Sequence, residues 1–123
     1  GYHVVVTPTK KPVRHGFHGV TKGHGGDDMF YYFVPRCNVE GSFHVEGGPE
    51  IKIAKGQAWY DHEFGGKVTE EETEKGAEML PYAWYWCAVQ LDNGFDISMC
   101  SLVDMTDESR TPEMFGKLVA PDS

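Results

Sequence analysis

The sequence predicts an all-β domain of antiparallel hairpins, closed into a barrel around a ligand chamber. Three observations carry this. The runs YAWYWCAVQL and FDISMCSLV flank Asp92-Asn93-Gly94, and Asn-Gly between two β-rich runs is the strongest short-range hairpin signal. The stretch Gly56-Gln-Ala-Trp-Tyr-Asp-His-Glu-Phe-Gly65 sets ionisable groups between large rings where a plain core strand carries Val, Ile or Leu. No stretch of helical length has a 3.6-residue apolar stripe, and there is no internal repeat. A sandwich is the alternative to a barrel, but closure removes the exposed edges that aggregate.

In chain order, Tyr2 to Thr7 is rich in β-branched residues and is stopped by Pro8, which gives a short strand. Lys10 to Asp28 has neither apolar period and reads as a glycine-rich connection. Met29 to Val34 is an aromatic run of strand length, with both faces covered, closed by Pro35 and Arg36. Val39–Val45 and Glu50–Ala54 form a hairpin about Glu46-Gly-Gly-Pro49, whose glycines supply positive φ. Lys67 to Leu80 is too charged to bury and reads as a solvated insertion rather than an acidic docking site. After the Asn-Gly hairpin the tail is polar, with Met114 to Val119 able to begin a further strand.

Composition excludes several functions. The 123 residues suit one core, burying roughly two thirds of the unfolded surface. They are 40% hydrophobic and 24% charged, with fifteen glycines and a mean hydropathy of -0.44, as in a loop-rich globular protein. A net charge of -8 without a Lys/Arg cluster argues against nucleic acid and anionic membranes. Cys37, Cys87 and Cys100 are odd in number and form no CxxC pair, which favours a reducing compartment. There is no bilayer-spanning apolar run and no secretory signal, so a soluble chain is expected. The thiols lie in apolar runs and read as core, and no GxSxG elbow is present. His15, His18 and His24 with Asp27 and Asp28 match no zinc spacing, so no metal site is expected. Gly23, Gly25 and Gly26 miss the phosphate-loop patterns.

Side chains alternate along a strand, so Trp59, Asp61 and Glu63 share one face while Tyr60, His62 and Phe64 share the other. Whichever face points inward takes a titratable group with it. Such a group must find hydrogen-bond partners or shift toward its neutral form, and a carboxylic acid kept neutral is a proton donor. The structural alternative is an ion pair that only locks strands together. The rings Phe30 to Phe33 and Trp84 to Trp86 are either ordinary core or the walls of an apolar ligand cavity.

The motifs HG-x-x-G from His15, YY-x-x-x-R from Tyr31, G-x-AW-x-DHE-x-G from Gly56 and W-x-W-x-x-x-QL-x-x-G from Trp84 occur in this order between about Lys11 and Val103. In this the chain resembles the AttH and carotenoid 1,2-hydratase (hydroxyneurosporene synthase) family. The lipocalin G-x-W signature is absent. The resemblance implies a lipocalin-like antiparallel barrel, with members that hydrate isolated double bonds of isoprenoids and relatives that fold reactive polyenes. Family members usually carry two such barrels. This chain would then hold a partial barrel over residues 1–110, short of strands on its N-terminal side, with 111–123 a tail or the start of a second barrel. A partner chain or second copy would complete the sheet.

Two functions from different classes follow. The first is a hydro-lyase or cyclase acting on an apolar isoprenoid, carotenoid or lipid. Asp61 protonates an alkene carbon, Tyr32, Trp84 and Trp86 stabilise the cation, and His62 or Glu63 positions Asp61 or activates water. Arg36, Trp59 and Gln90 complete the expected ligand-binding set, and no cofactor is needed. The second is a non-catalytic subunit that uses the same barrel to hold a pigment or lipid or to dock into a larger assembly.

Overall fold

The computed structural model describes residues 1–22, 28–66, 82–107, 109 and 111–123. Among the described residues there is no helix, and every strand pairing is antiparallel. Within the described residues the strands form a six-stranded and a three-stranded sheet that no strand pairing joins, so these strands are not closed into a barrel. The all-β antiparallel expectation therefore holds in its incomplete form.

The larger sheet is organised around β4 (Asp28–Phe43), with which all five of its other strands pair. On one edge lie β1 (Tyr2–Pro8), β2 (Val13–Arg14) and β3 (Val20–Lys22). On the other lie β5 (Ile51–Lys52) and β6 (Gly56–Gly65). The connection expected between Lys10 and Asp28 thus contains two short strands. Two-residue and three-residue pairings are set by neighbours and are too brief to leave a period in the sequence. Between them, Gly16 has φ +60° and Gly19 φ +93°. A Cβ on Gly16 would sit 1.9 Å from the Val20 carbonyl oxygen. The turn of the HG-x-x-G motif is therefore closed only by glycine, and it sets His15 against Tyr31, whose carbonyl accepts the His15 N–H at 3.0 Å.

Pro35 and Arg36 do not end β4. The register against β6 shifts between Val34 and Cys37, and such a bulge tolerates a proline, which has no N–H for the ladder. The extra residue also reverses which side chains face inward, so that Arg36 reaches the second sheet. The aromatic run is covered unevenly: Tyr31 and Phe33 on the inner face and Val34 on the outer are buried, whereas Phe30 on the outer face is 43% exposed. Burying Phe33 completely contributes about 1.5–3 kcal/mol.

The smaller sheet runs β7 (Tyr82–Gln90), β8 (Asp96–Asp104), β9 (Glu113–Val119). Its first hairpin turns at Asn93-Gly94, where Gly94 has φ +88°, and its backbone is tied by Leu91 N–H to the Phe95 carbonyl at 2.9 Å. Residues after Asp104 add β9 to this sheet, with Val119 buried. The charged stretch Lys67 to Leu80 lies outside the described residues.

The two sheets are fastened at one end by polar contacts. Asp96 is fully buried and accepts from Lys10 Nζ at 2.7 Å and Arg36 Nε at 2.8 Å. Lys10 Nζ also donates to the Gly94 and Ala120 carbonyls, and Arg36 donates to the Leu91 carbonyl. Gln90 Nε2 donates to the Pro35 carbonyl at 2.6 Å.

Candidate functional site

Away from that clamp, the inner faces of the sheets meet through aromatic rings and open to solvent at Asp61, Glu63, Trp84 and Trp86, and this open junction is the cleft considered as a site. The register places Phe33 opposite Asp61 and Tyr31 opposite Glu63. Since opposed residues share a face, Trp59, Asp61 and Glu63 lie on the same side as the buried Tyr31 and Phe33, but Asp61 and Glu63 are themselves exposed. Trp59 stacks on Phe33 with ring centroids 4.8 Å apart, and Tyr31 Oη donates to Asp61 Oδ1 at 2.9 Å.

The facing wall follows from the same alternation. Trp86 and Phe115 both pair with Cys100, and Lys117 pairs with Ser98, on the side of β8 where Ser98 and Cys100 are buried. Trp86 meets Trp59 edge-on at 6.3 Å, and Trp84 meets Phe115 at 5.8 Å. His15 lies between the walls, buried and stacked on Tyr31 at 4.3 Å. It is edge-on to Phe115 at 5.8 Å, with Nε2 3.2 Å from Ser98 Oγ.

The outer side of the large sheet carries a separate group. His62 Nδ1 lies 3.2 Å from Tyr32 Oη and 3.1 Å from Tyr60 Oη, all in exposed surroundings. His62 and Tyr32, assigned to one site with Asp61, are thus on the opposite face from it, as alternation alone requires of His62. Arg36 and Gln90, expected to bind ligand, are engaged in the clamp between the sheets. Trp59, Trp84 and Trp86 do share the cleft with Asp61 and Glu63. Sequence reasoning named Tyr31 only among the rings of core or cavity wall and His15 only within a histidine cluster, and it missed Phe115 and Lys117; nothing in the sequence announced the cross-sheet pairing of His15.

Electrostatics follow from this packing. Burial pushes the Glu63 carboxyl above its usual range, and the negative charge of Asp61 adds to the shift. Glu63 is exposed at the cleft mouth, so this is the effect of partial cover. Burial lowers the His15 pKa; Asp61 opposes that and Lys117 reinforces it. Burial and the hydrogen bond to Asp61 push the Tyr31 phenol up, while the Trp86 N–H, bonded to the phenol, acts the other way. Cys100 is pushed up to about 11 by burial, then by Asp61 and Glu63, so its thiol stays protonated. Trp59 Nε1 is buried with no hydrogen-bond partner among the described residues, an arrangement that costs about 1–3 kcal/mol until a water or ligand oxygen satisfies it.

Among the described residues no group of three or more His, Cys, Asp or Glu is placed to hold a metal; His24 and Asp27 lie outside them. The arrangement offers two carboxyls, Asp61 and Glu63, on the same face as aromatic rings. A family model described as AttH-like matches residues 1–123. Neither a search of curated proteins nor one of solved structures returns a match.

Proposed function

The chain belongs to the AttH-like family, and from that premise we propose that it binds an apolar, unsaturated chain of isoprenoid type between its sheets and hydrates one double bond. The supporting observation is the carboxyl pair Asp61 and Glu63 on the cleft face, with Glu63 shifted toward its neutral form. A carboxyl held toward its neutral form beside a second carboxylate suits a division into acid and base. Glu63 gives its proton to an alkene carbon, leaving a carbocation on the neighbouring carbon. The ring faces of Trp84 and Trp86 attract that cation. Water adds to it and passes a proton to Asp61, which Tyr31 holds by its hydroxyl. Asp61 releases that proton to solvent and Glu63 takes one up, which restores both groups. The net change is one water added, and no cofactor enters.

A second reading rests on the openness of the cleft. Trp84 is 49% and Trp86 43% exposed, which suits a module that holds a pigment or lipid without turning it over. One experiment separates the two. Short prenyl alkenes are titrated against tryptophan fluorescence, and the mixture is then assayed by mass spectrometry for gain of one water. Hydration requires turnover by the parent chain, loss of product in Glu63→Gln, and retained fluorescence quenching in that variant. Quenching without product in the parent selects the holding role, and absence of quenching rejects both.

A further inference from the structure

We infer that the ligand held in the cleft carries a carbonyl oxygen, and that this oxygen accepts the indole N–H of Trp59. The inference rests on the reading that the cleft binds an apolar, unsaturated chain, and it narrows the class of that chain. Trp59 Nε1 is the one buried side-chain nitrogen or oxygen among the described residues that lacks a hydrogen-bond partner. Buried polar atoms in folded proteins are nearly always paired, because leaving a donor unpaired costs its desolvation in full. The neighbouring indole is served from within the chain. Trp86 meets Trp59 edge-on at 6.3 Å, and its N–H is bonded to the Tyr31 phenol, which in turn donates to Asp61.

The chain's own acceptors beside Trp59 are already engaged. Trp59 lies opposite the bulge in β4, between the Val34–Tyr60 and Cys37–Ala58 pairs. The Pro35 carbonyl of that bulge accepts from Gln90 at 2.6 Å, and the Arg36 carbonyl accepts from the Thr9 N–H at 2.9 Å and from Thr9 Oγ1 at 3.1 Å. Phe33 covers one face of the indole, with 11° between the ring planes. A lone water is a poor occupant: buried water is held by about three hydrogen bonds, and no second unpaired buried side-chain atom stands ready among the described residues. An oxygen fixed to an apolar chain needs only one, since the rings hold the chain. A carbonyl fits better than a hydroxyl because it brings no donor of its own to be left unpaired. Nε1 is covered by its neighbours, and Trp86, 43% exposed, is the ring that an entering ligand turns aside. Trp59 and Glu63 stand four residues apart on one face of β6, about 13 Å along the strand. The carbonyl and the double bond beside Glu63 are therefore remote from each other on the ligand and not conjugated.

Two probes test this: farnesylacetone, a prenyl ketone whose terminal double bond lies at a comparable distance from its carbonyl, and the hydrocarbon with CH2 in place of that carbonyl. Each is titrated by tryptophan fluorescence into the parent chain and into Trp59→Phe, which keeps a ring beside Phe33 and removes the N–H. The substitution weakens the ketone by at least about fivefold and the hydrocarbon by less than about twofold, a difference that the cycle assigns to the hydrogen bond. In the parent, 15N-edited NMR follows the indole protons of the three tryptophans. The ketone moves that of Trp59 downfield and the hydrocarbon does not. This measurement carries the test should Trp59→Phe disturb the fold, since proximity to Phe33 identifies the signal. Equal response of both probes to the substitution, or a Trp59 indole proton that the ketone leaves in place, overturns the carbonyl assignment while the cleft stands as an apolar site. Failure of both probes to bind the parent removes that site and the inference with it.

Discussion

Replacing Asp96 by alanine removes the anion from the junction that fastens one sheet to the other. The carboxylate has no exposed surface and is held by Lys10, whose side chain is 7% exposed, and Arg36, whose side chain is 20% exposed. In the variant both cations stay largely out of water with only carbonyl acceptors: those of Gly94 and Ala120 for Lys10, and those of Leu91 and Phe95 for Arg36. Stripping a buried ion pair of one member costs about 3–5 kcal/mol, a large share of the roughly 5–15 kcal/mol that holds a domain folded. Lys10→Met leaves Arg36 on the carboxylate and removes charge-assisted hydrogen bonds, a loss of about 1.5–3 kcal/mol. The triple variant Lys10→Met/Arg36→Met/Asp96→Leu removes every charge at once. It regains most of the deficit of Asp96→Ala, because desolvation of the charged groups is removed with them. Urea unfolding at neutral pH, followed by tryptophan fluorescence, measures all three. An Asp96→Ala variant within about 1 kcal/mol of the parent would refute the reasoning, since the two cations would then have found water.

Three further outcomes are expected. His15 is held below its ordinary pKa mainly by burial, so the unfolded chain takes up the proton first as pH falls. Its contribution is intact above about 6.5 and is lost progressively below it. His15→Gln flattens that part of the stability profile in urea titrations across pH 5 to 7; an unchanged slope would show that other groups produce it. Glu63, shifted upward, acts in the opposite sense: the stability it contributes is whole below its unfolded pKa and is lost as pH rises through its folded one, and Glu63→Gln abolishes this component. Cys37 and Cys100 are buried and both thiols are pushed up, while Cys87 is exposed. A thiol reagent near pH 8 therefore labels one cysteine per native chain and three in denaturant, read by intact mass; rapid labelling of Cys100 would mean that the cleft floor opens.

Long elements with a clear period were legible in the sequence. β6 coincides with GQAWYDHEFG, and the Asn93-Gly94 turn lies between β7 and β8, because alternation and turn chemistry act locally. The division of Asp61 and Glu63 from His62 also followed from alternation alone. What stayed hidden depended on partners distant along the chain. Pro35 reads as a strand end, yet the bulge beside it lets β4 continue and turns Arg36 toward Asp96, sixty residues further on. His15 looked like a loop residue because its neighbours Tyr31, Ser98 and Phe115 come from three other strands. Arg36 and Gln90 belong to the family motifs, and sequence alone does not distinguish a ligand contact from a clamp.

The dependence of the large sheet on β4 bears on how the chain emerges during synthesis. β1, β2 and β3 leave the ribosome before β4, and their ladder partners among the described residues all lie between Asp28 and Phe43. Until that stretch has cleared the exit tunnel, the valines of β1 lack the strand they pair with and are open to association with other nascent chains. Once β4 is out, it can collect them in one zippering event, so that a pause in translation before Phe43 is more hazardous than one after it.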